Sequence, residues 1–296
     1  MQSANEILVK IKSRIRFHLL EPTQKEFRRR RNAKRDLTPI FVSGAMGSGT
    51  TLLAFELAKR FDVAGIVEES ALEVSSRSFL RMPTISSFQS VNAYENRLWP
   101  GVDWSELAAV TALQGLYRSH AVSKQKYIVD KGPNTNLVRA SFLASCFPDA
   151  KFVLLFRDPV ANIEGFRRKW PIFGQSPLDT NIQFYRRIHE AFLEQAEDFQ
   201  DRVTVVSYEQ LVNQHQETLG ILRKSLRLNF VSERRALLER PNRPGQGIRN
   251  VFRNEIRLIH NANATAYLGL SENEIEQIRS ELGPLHQQMR DAVSTS

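Results

Sequence analysis

The chain has one cysteine, Cys146, among 296 residues. A single thiol forbids an intrachain disulfide and a multi-cysteine metal site, and suits a reducing compartment. Cys146 itself reads as a small buried apolar residue. Long hydrophobic runs are also missing: no stretch approaches the roughly 18 apolar residues of a membrane span, and the first residues lack the apolar core of a signal peptide. The expectation is a cytoplasmic protein with no transmembrane segment. Large charge of one sign is missing from most of the chain. The net charge is +9, but residues 1–36 carry 11 Lys/Arg against 4 Asp/Glu, leaving 30 against 28 in the other 260 residues. A nearly neutral body argues against a nucleic-acid partner. One more absence matters most. The segment "FVSGAMGSGTTLL", residues 41–53, has the Gly44–Gly49 spacing of a nucleotide phosphate loop, G-x-x-x-x-G-K-[ST], yet Thr50 stands where the lysine belongs.

What is present falls into two parts. In residues 1–37, Ile7, Leu8, Ile11, Ile15 and Leu19 recur at helical spacing between basic residues, and the run "KEFRRRRNAKR" follows Pro22. This predicts a basic amphipathic segment: either a solvated helix docked by its apolar stripe, or a surface for peripheral contact with anionic lipid, acidic substrate or a partner. Residues 38–296 read as one α/β domain. "PIFVSG", "KYIVDKGP", "AKFVLLFRDP" and "RVTVVSYEQLV" read as strands, and "VAGIVEES" as a strand or loop. Helices are predicted for "TTLLAFELAKRF", "WSELAAVTALQGLYRSHAV", "NLVRASFLASCF" and residues 179–199, with residues 70–100 irregular. Apolar strands alternating with helices predict a parallel sheet covered on both faces, with ligands at the strand carboxyl ends.

The loop chemistry follows from that placement. A strand–glycine loop–helix turn aims several backbone N–H groups at one point at the positive end of a helix. The hydroxyls of Ser48, Thr50 and Thr51 add donors, and Gly44, Gly47 and Gly49 let the chain fold closely. Without the lysine that reaches β- and γ-phosphates, a triphosphate is disfavoured, as is the magnesium chemistry that accompanies it. A second anion position is predicted at Arg157, where the "KFVLLFRDP" strand ends, because an arginine fork takes phosphate bidentately. Arg167, Arg168 and Lys169 follow on the next helix, as further phosphate contacts or as a solvated face. Two such positions imply a nucleotide carrying phosphate at two places.

"PIFVSGAMGSGTTLL", "KYIVDKGPNTN", "DAKFVLLFRDPVANIEGF" and "VTVVSYEQLV", in that order, resemble the sulfotransferases that use 3′-phosphoadenosine 5′-phosphosulfate (PAPS), and most nearly the bacterial, carbohydrate and tyrosylprotein-like branch. The resemblance covers roughly residues 38–230 and implies a phosphate-loop α/β fold, PAPS as donor, adenosine 3′,5′-bisphosphate as product, and no required metal. It implies that the first loop holds the 5′-phosphosulfate and Arg157 the 3′-phosphate, with Tyr208 near the adenine or else packing at a strand end. It places Glu68 as the base for the acceptor hydroxyl, with Glu69 the alternative if the register differs, and Lys131 as a cation at the transferred group. Asn134 and Asn136 are candidate donors to substrate or cofactor, and Thr265 matches a hydroxyl position. His120, inside a predicted helix, is a poor base. Two positions depart from the family pattern: Gly47 replaces a loop lysine or arginine, and Gly165 replaces a serine eight residues after Arg157. Residues 70–105, rich in aromatics and arginines, are expected to form an acceptor-binding insertion for a carbohydrate or other small molecule. Two rival readings remain: a nucleotide-binding protein on this fold that transfers weakly or not at all, and a kinase.

Overall fold

The computed structural model describes residues 34–68, 85, 88–99, 106–231 and 269–294. The basic segment up to residue 33, Glu69, most of the expected insertion and Thr265 lie outside the described residues.

Five strands form one parallel sheet in the order β2-β3-β1-β4-β5: β1 Thr38–Ser43, β2 Val63–Glu68, β3 Tyr127–Lys131, β4 Lys151–Phe156 and β5 Val203–Ser207. The helices are α1 Thr50–Arg60, α2 Val91–Leu98, α3 Glu106–His120, α4 Thr135–Val138, α5 Ala140–Cys146, α6 Pro159–Lys169, α7 Pro171–Gly174, α8 Leu178–Ala196, α9 Tyr208–Asn213, α10 His215–Leu226 and α11 Glu272–Ser294. The stretch read as "a strand or loop" is a strand, β2.

Strand alternation divides the core. Phe41, Ile128, Phe152, Leu154, Phe156 and Val205 face one layer, with α3, α5, α8 and α11. Ile40, Val42, Val129, Val153, Leu155 and Val206 face the other, where Leu53 and Leu57 of α1 and Leu219 and Leu222 of α10 pack. Successive side chains point to opposite faces, so a sheet covered on both sides needs near-continuous apolar strands.

The same alternation sends Asp130 to the first layer and Lys131 to the second, beneath α1. Glu68 and Lys131 are Cα partners at the carboxyl ends of neighbouring strands, which puts both side chains on the α1 face.

Two elements differ from the sequence reading, and a third was not read from it. Residues 91–98 form a helix: Ser90 Oγ accepts from the Ala93 N–H at 3.2 Å, and Val91, Tyr94 and Leu98 are buried on one face. The helix read through "NLVRASFLASCF" breaks at Arg139, whose φ of −123° and ψ of 17° separate α4 from α5. Its Nε donates to the Leu98 carbonyl at 3.1 Å, and burial pulls its pKa down to about 10. Finally, α11 lays Ile278, Leu282, Leu285 and Met289 into the first layer despite Pro284 in its interior.

Candidate active site

The phosphate loop, residues 44–49, joins β1 to α1. Gly47 and Gly49 have φ of +83° and +99°, the left-handed region that only glycine enters without penalty. Gly44 is required for space instead: a Cβ there would lie 2.3 Å from the Leu155 carbonyl oxygen and 2.6 Å from Ser48 Oγ. Ser48 N–H donates to Ala45 O at 3.0 Å. Gly49 caps α1, so the first N–H groups of that helix open at the loop. Ser48 Oγ is buried with no hydrogen-bond partner among the described residues.

The loop is held from both sides. From β3, Asn134 Oδ1 accepts from Met46 N–H at 3.0 Å and Asn134 N–H donates to Gly44 O at 3.0 Å. From α6, Asn162 Nδ2 donates to Met46 O at 2.7 Å. Arg157, at the end of β4, donates from Nη1 to Gly47 O at 3.0 Å. Its guanidinium lies 4.7 Å from the centre of the Tyr208 ring, and that ring sits where a Cβ on Gly49 would be, 2.6 Å away. Thus the loop, Arg157 and Tyr208 form one group. Tyr208 opens α9 rather than ending β5, and burial, ahead of neighbouring charges, raises its pKa.

Lys131 stands at the other flank. It is 4% exposed. Its Nζ donates to Thr51 Oγ1 at 3.3 Å and lies 4.0 Å from Glu68 Oε1. The expected cation, the expected base and a loop hydroxyl therefore meet at adjoining strand ends. A sulfuryl-bearing nucleotide fits the donor set on structural grounds: an orphaned buried hydroxyl inside a loop whose close turn a Cβ would block, N–H groups at a helix start, and two flanking cations.

Lys169 does not join this group. It ends α6, about 15 Å along the helix from Pro159 at 1.5 Å per residue, and its ammonium sits 4.6 Å from the Trp170 ring centre. The neighbouring cations are used within the fold: Arg167 pairs with Glu274 at 3.1 Å and Arg168 with Glu164 at 2.7 Å. The amides of Asn134 and Asn136 are also directed inward, the latter donating to Asp130 O at 3.4 Å. His120 Nδ1 lies 3.0 Å from Leu116 O, in keeping with its poor standing as a base. Burial, with Glu106 nearby, pushes the Cys146 thiol up to about 11, which makes it inert at neutral pH. Among the described residues no His/Cys/Asp/Glu group could hold a metal, and no helix is long and apolar enough to cross a membrane.

Sequence reasoning missed Asn162, and the parts that Tyr94 and Arg157 play in tying down the loop. Asn162 had one local signal, an asparagine on the buried side of a helix five residues after Arg157. Tyr94 had none.

Comparison with known proteins gives the family and the fold. The model of the sulfotransferase family matches residues 39–232, well over half of the chain. Nodulation protein NoeE of Sinorhizobium fredii is 30% identical over 145 residues, which are 47% of this chain and 34% of NoeE; the match spans about a third of that relative. The sulfotransferase domain from the curacin biosynthetic pathway superposes with a TM-score of 0.50 at 18% identity, covering 84% of this chain and 99% of that one. Sulfotransferase STF9 from Mycobacterium avium gives 0.50 at 12% identity, over 94% and 81%. At such identities the solved structures speak for the fold. The chain belongs to the sulfotransferase family.

Proposed function

We propose that this sulfotransferase-family protein takes PAPS as donor and transfers its sulfuryl group to a hydroxyl of a carbohydrate or other small-molecule acceptor. The observation that carries the reading is the meeting of Glu68, Lys131 and Thr51 beside a phosphate loop that has no lysine of its own. A P-loop triphosphatase carries that lysine within the loop. Here the cation comes from a neighbouring strand, next to a carboxylate.

In this reading the loop N–H groups and the hydroxyls of Ser48, Thr50 and Thr51 hold the 5′-phosphosulfate. Arg157 holds the 3′-phosphate, and the Tyr208 ring flanks the nucleoside. The donor supplies a sulfuryl group: the acceptor oxygen bonds to sulfur as the bond from sulfur to the 5′-phosphate oxygen breaks, leaving adenosine 3′,5′-bisphosphate. Glu68 takes the acceptor proton. Lys131 and the start of α1 stabilise the charge left on the departing phosphate. In this reading no metal is needed, because Lys131 and the N-terminus of α1 neutralise the departing phosphate.

One specific observation favours a weaker enzyme or a binding protein on the same fold. Gly47 offers no side-chain charge, and its positive φ fits the loop to glycine rather than to a lost arginine. Turnover of labelled PAPS against a panel of acceptors separates the readings. Glu68→Gln should lower turnover by about 10²–10⁴-fold and Lys131→Ala by about 10²–10³-fold, while the Glu68 variant binds adenosine 3′,5′-bisphosphate like wild type. Wild-type turnover in both variants would remove these two residues from the chemistry. Binding without turnover of any acceptor would favour the binding protein.

A further inference from the structure

Asn134 has φ of 61° and ψ of −52°, outside the left-handed helical region that asparagine ordinarily tolerates. Thr135 N–H donates to Pro133 O at 2.7 Å. Residues 133–135 are therefore a γ-turn of the rare positive-φ kind, which is strained. Such strain persists only where the surroundings hold it in place, and it points to a role for the residue.

The surroundings are specific. The backbone N–H of Asn134 goes to Gly44 O at 3.0 Å. Its Oδ1 accepts from Met46 N–H at 3.0 Å. Its Nδ2 donates to Tyr94 Oη at 3.0 Å. The amide orientation is fixed by chemistry, since Met46 N–H can only donate. Tyr94 belongs to α2, in the segment expected to bind the acceptor, and its ring packs against Phe88, Phe173 and Phe184. One buried side chain thus grips the outer side of the phosphate loop with its oxygen and the α2 tyrosine with its nitrogen.

We infer that Asn134 is a positioning residue that couples the phosphate loop to α2, so that an anion in the loop and order in α2 reinforce each other. The inference rests on the donor reading only for which anion fills the loop. With Met46 N–H held by Asn134 and Met46 C=O held by Asn162, the peptides on both sides of Met46 are pinned, and the following N–H groups stay aimed inward. Loss of the Tyr94 bond frees the asparagine amide to turn, and the loop loses one of its two clamps. By linkage the effect runs both ways: whatever orders the loop also orders α2.

The test is hydrogen exchange, followed in fragments covering residues 44–52 and 88–99 of the intact protein. Tyr94→Phe removes one oxygen and keeps the ring. Asn134→Gly keeps the positive φ available and removes both side-chain bonds. In the free protein, exchange in 44–52 should rise several-fold in Tyr94→Phe and about tenfold in Asn134→Gly, a change worth one to two hydrogen bonds. Elsewhere the rates should hold. Saturating adenosine 3′,5′-bisphosphate should slow exchange in 88–99 in wild type and not in Tyr94→Phe. Wild-type loop exchange in Tyr94→Phe overturns the coupling, and so does equal ligand protection of 88–99 in that variant. A uniform rise across all fragments also overturns it, because that marks a merely structural tyrosine. If the bisphosphate fails to bind wild type, the donor reading falls, and the free-protein arm still decides the role of Asn134. If Asn134→Gly does not fold, Tyr94→Phe alone decides.

Discussion

Two glycines set the terms of this site at the scale of single residues, and they differ. At Gly47 the backbone has φ of +83°, and a Cβ would lie 3.0 Å from Asn162 Nδ2, the group that holds the Met46 carbonyl. An arginine there strains the loop and pushes on one of its clamps, so restoring the family's loop cation at this position would weaken the site. Gly165 is in the middle of α6, and a Cβ there meets nothing within 4 Å. Gly165→Ser should be accepted and stabilise the helix by roughly 0.4 kcal/mol, the propensity difference between the two residues. If position 165 faces the 3′-phosphate, the new hydroxyl should also tighten adenosine 3′,5′-bisphosphate by up to about tenfold, one net hydrogen bond. Calorimetry on the variant checks this; a more stable protein with unchanged affinity would take position 165 out of the 3′ site. The sequence made these two glycines look alike, since each replaces a family polar residue. Only the dihedral angle and the space around them tell them apart.

Among the elements, α8 carries a group whose titration is tied to folding. His189 is fully buried, and its Nδ1–H donates to Tyr185 O at 2.8 Å. Burial lowers its pKa from the ordinary 6.5 to about 4, opposed by the bond to Tyr185 and aided by the nearby His286. The unfolded chain therefore binds a proton that the folded chain refuses. The contribution of His189 to stability is constant well above pH 6.5, falls as pH drops through that value, and is lower by roughly 3 kcal/mol at about pH 4. His286, on α11, is shifted in the same direction, chiefly by burial. Urea unfolding at pH 7 and pH 4.5 should show the loss in wild type and a smaller loss in His189→Phe, which keeps a ring of similar shape. An unchanged pH slope in the variant would show that His189 is not neutral in the fold.

Legibility also varied by element. The strands were readable because burial on both faces demands unbroken apolar runs, as in "KFVLLF". The loop was readable because its spacing is local. Helix α2 was not, although Ser90 and the spacing of Val91, Tyr94 and Leu98 carried the signal; the surrounding Ser, Pro and Asn masked it. Helix α11 has a helical apolar stripe, but Gly283-Pro284 interrupts it with two helix breakers. The break at Arg139 had no signal in the local pattern of the sequence. It coincides with a buried bond from Arg139 to Leu98 O, between residues far apart in sequence.

For the whole molecule, the order β2-β3-β1-β4-β5 explains why residues from positions 44 to 208 converge. The loop ends the central strand β1. Lys131 and Glu68 end the strands on one side of it, and Arg157 and Tyr208 follow the strands on the other. The candidate residues were legible wherever strand ends could be found, because a parallel sheet collects its carboxyl ends on one edge. Lys169 is near Arg157 in sequence, but α6 carries it to its far end, beside Trp170. The asparagine clamps were illegible because hydrogen bonds across 88 and 116 positions leave no trace in a local pattern.

The central claim is that the two sides of this edge hold one nucleotide with phosphate at both its 3′ and 5′ positions. Titration calorimetry without magnesium tests it most directly, comparing adenosine 3′,5′-bisphosphate, AMP and ATP on wild type and Arg157→Ala. The account predicts that the bisphosphate binds wild type at least tenfold tighter than AMP or ATP. It also predicts that Arg157→Ala loses about 1.5–3 kcal/mol of that binding, the scale of a charged hydrogen bond, and brings the bisphosphate close to AMP. Equal affinity for AMP and the bisphosphate in wild type, or tighter binding of ATP once magnesium is added, would contradict it.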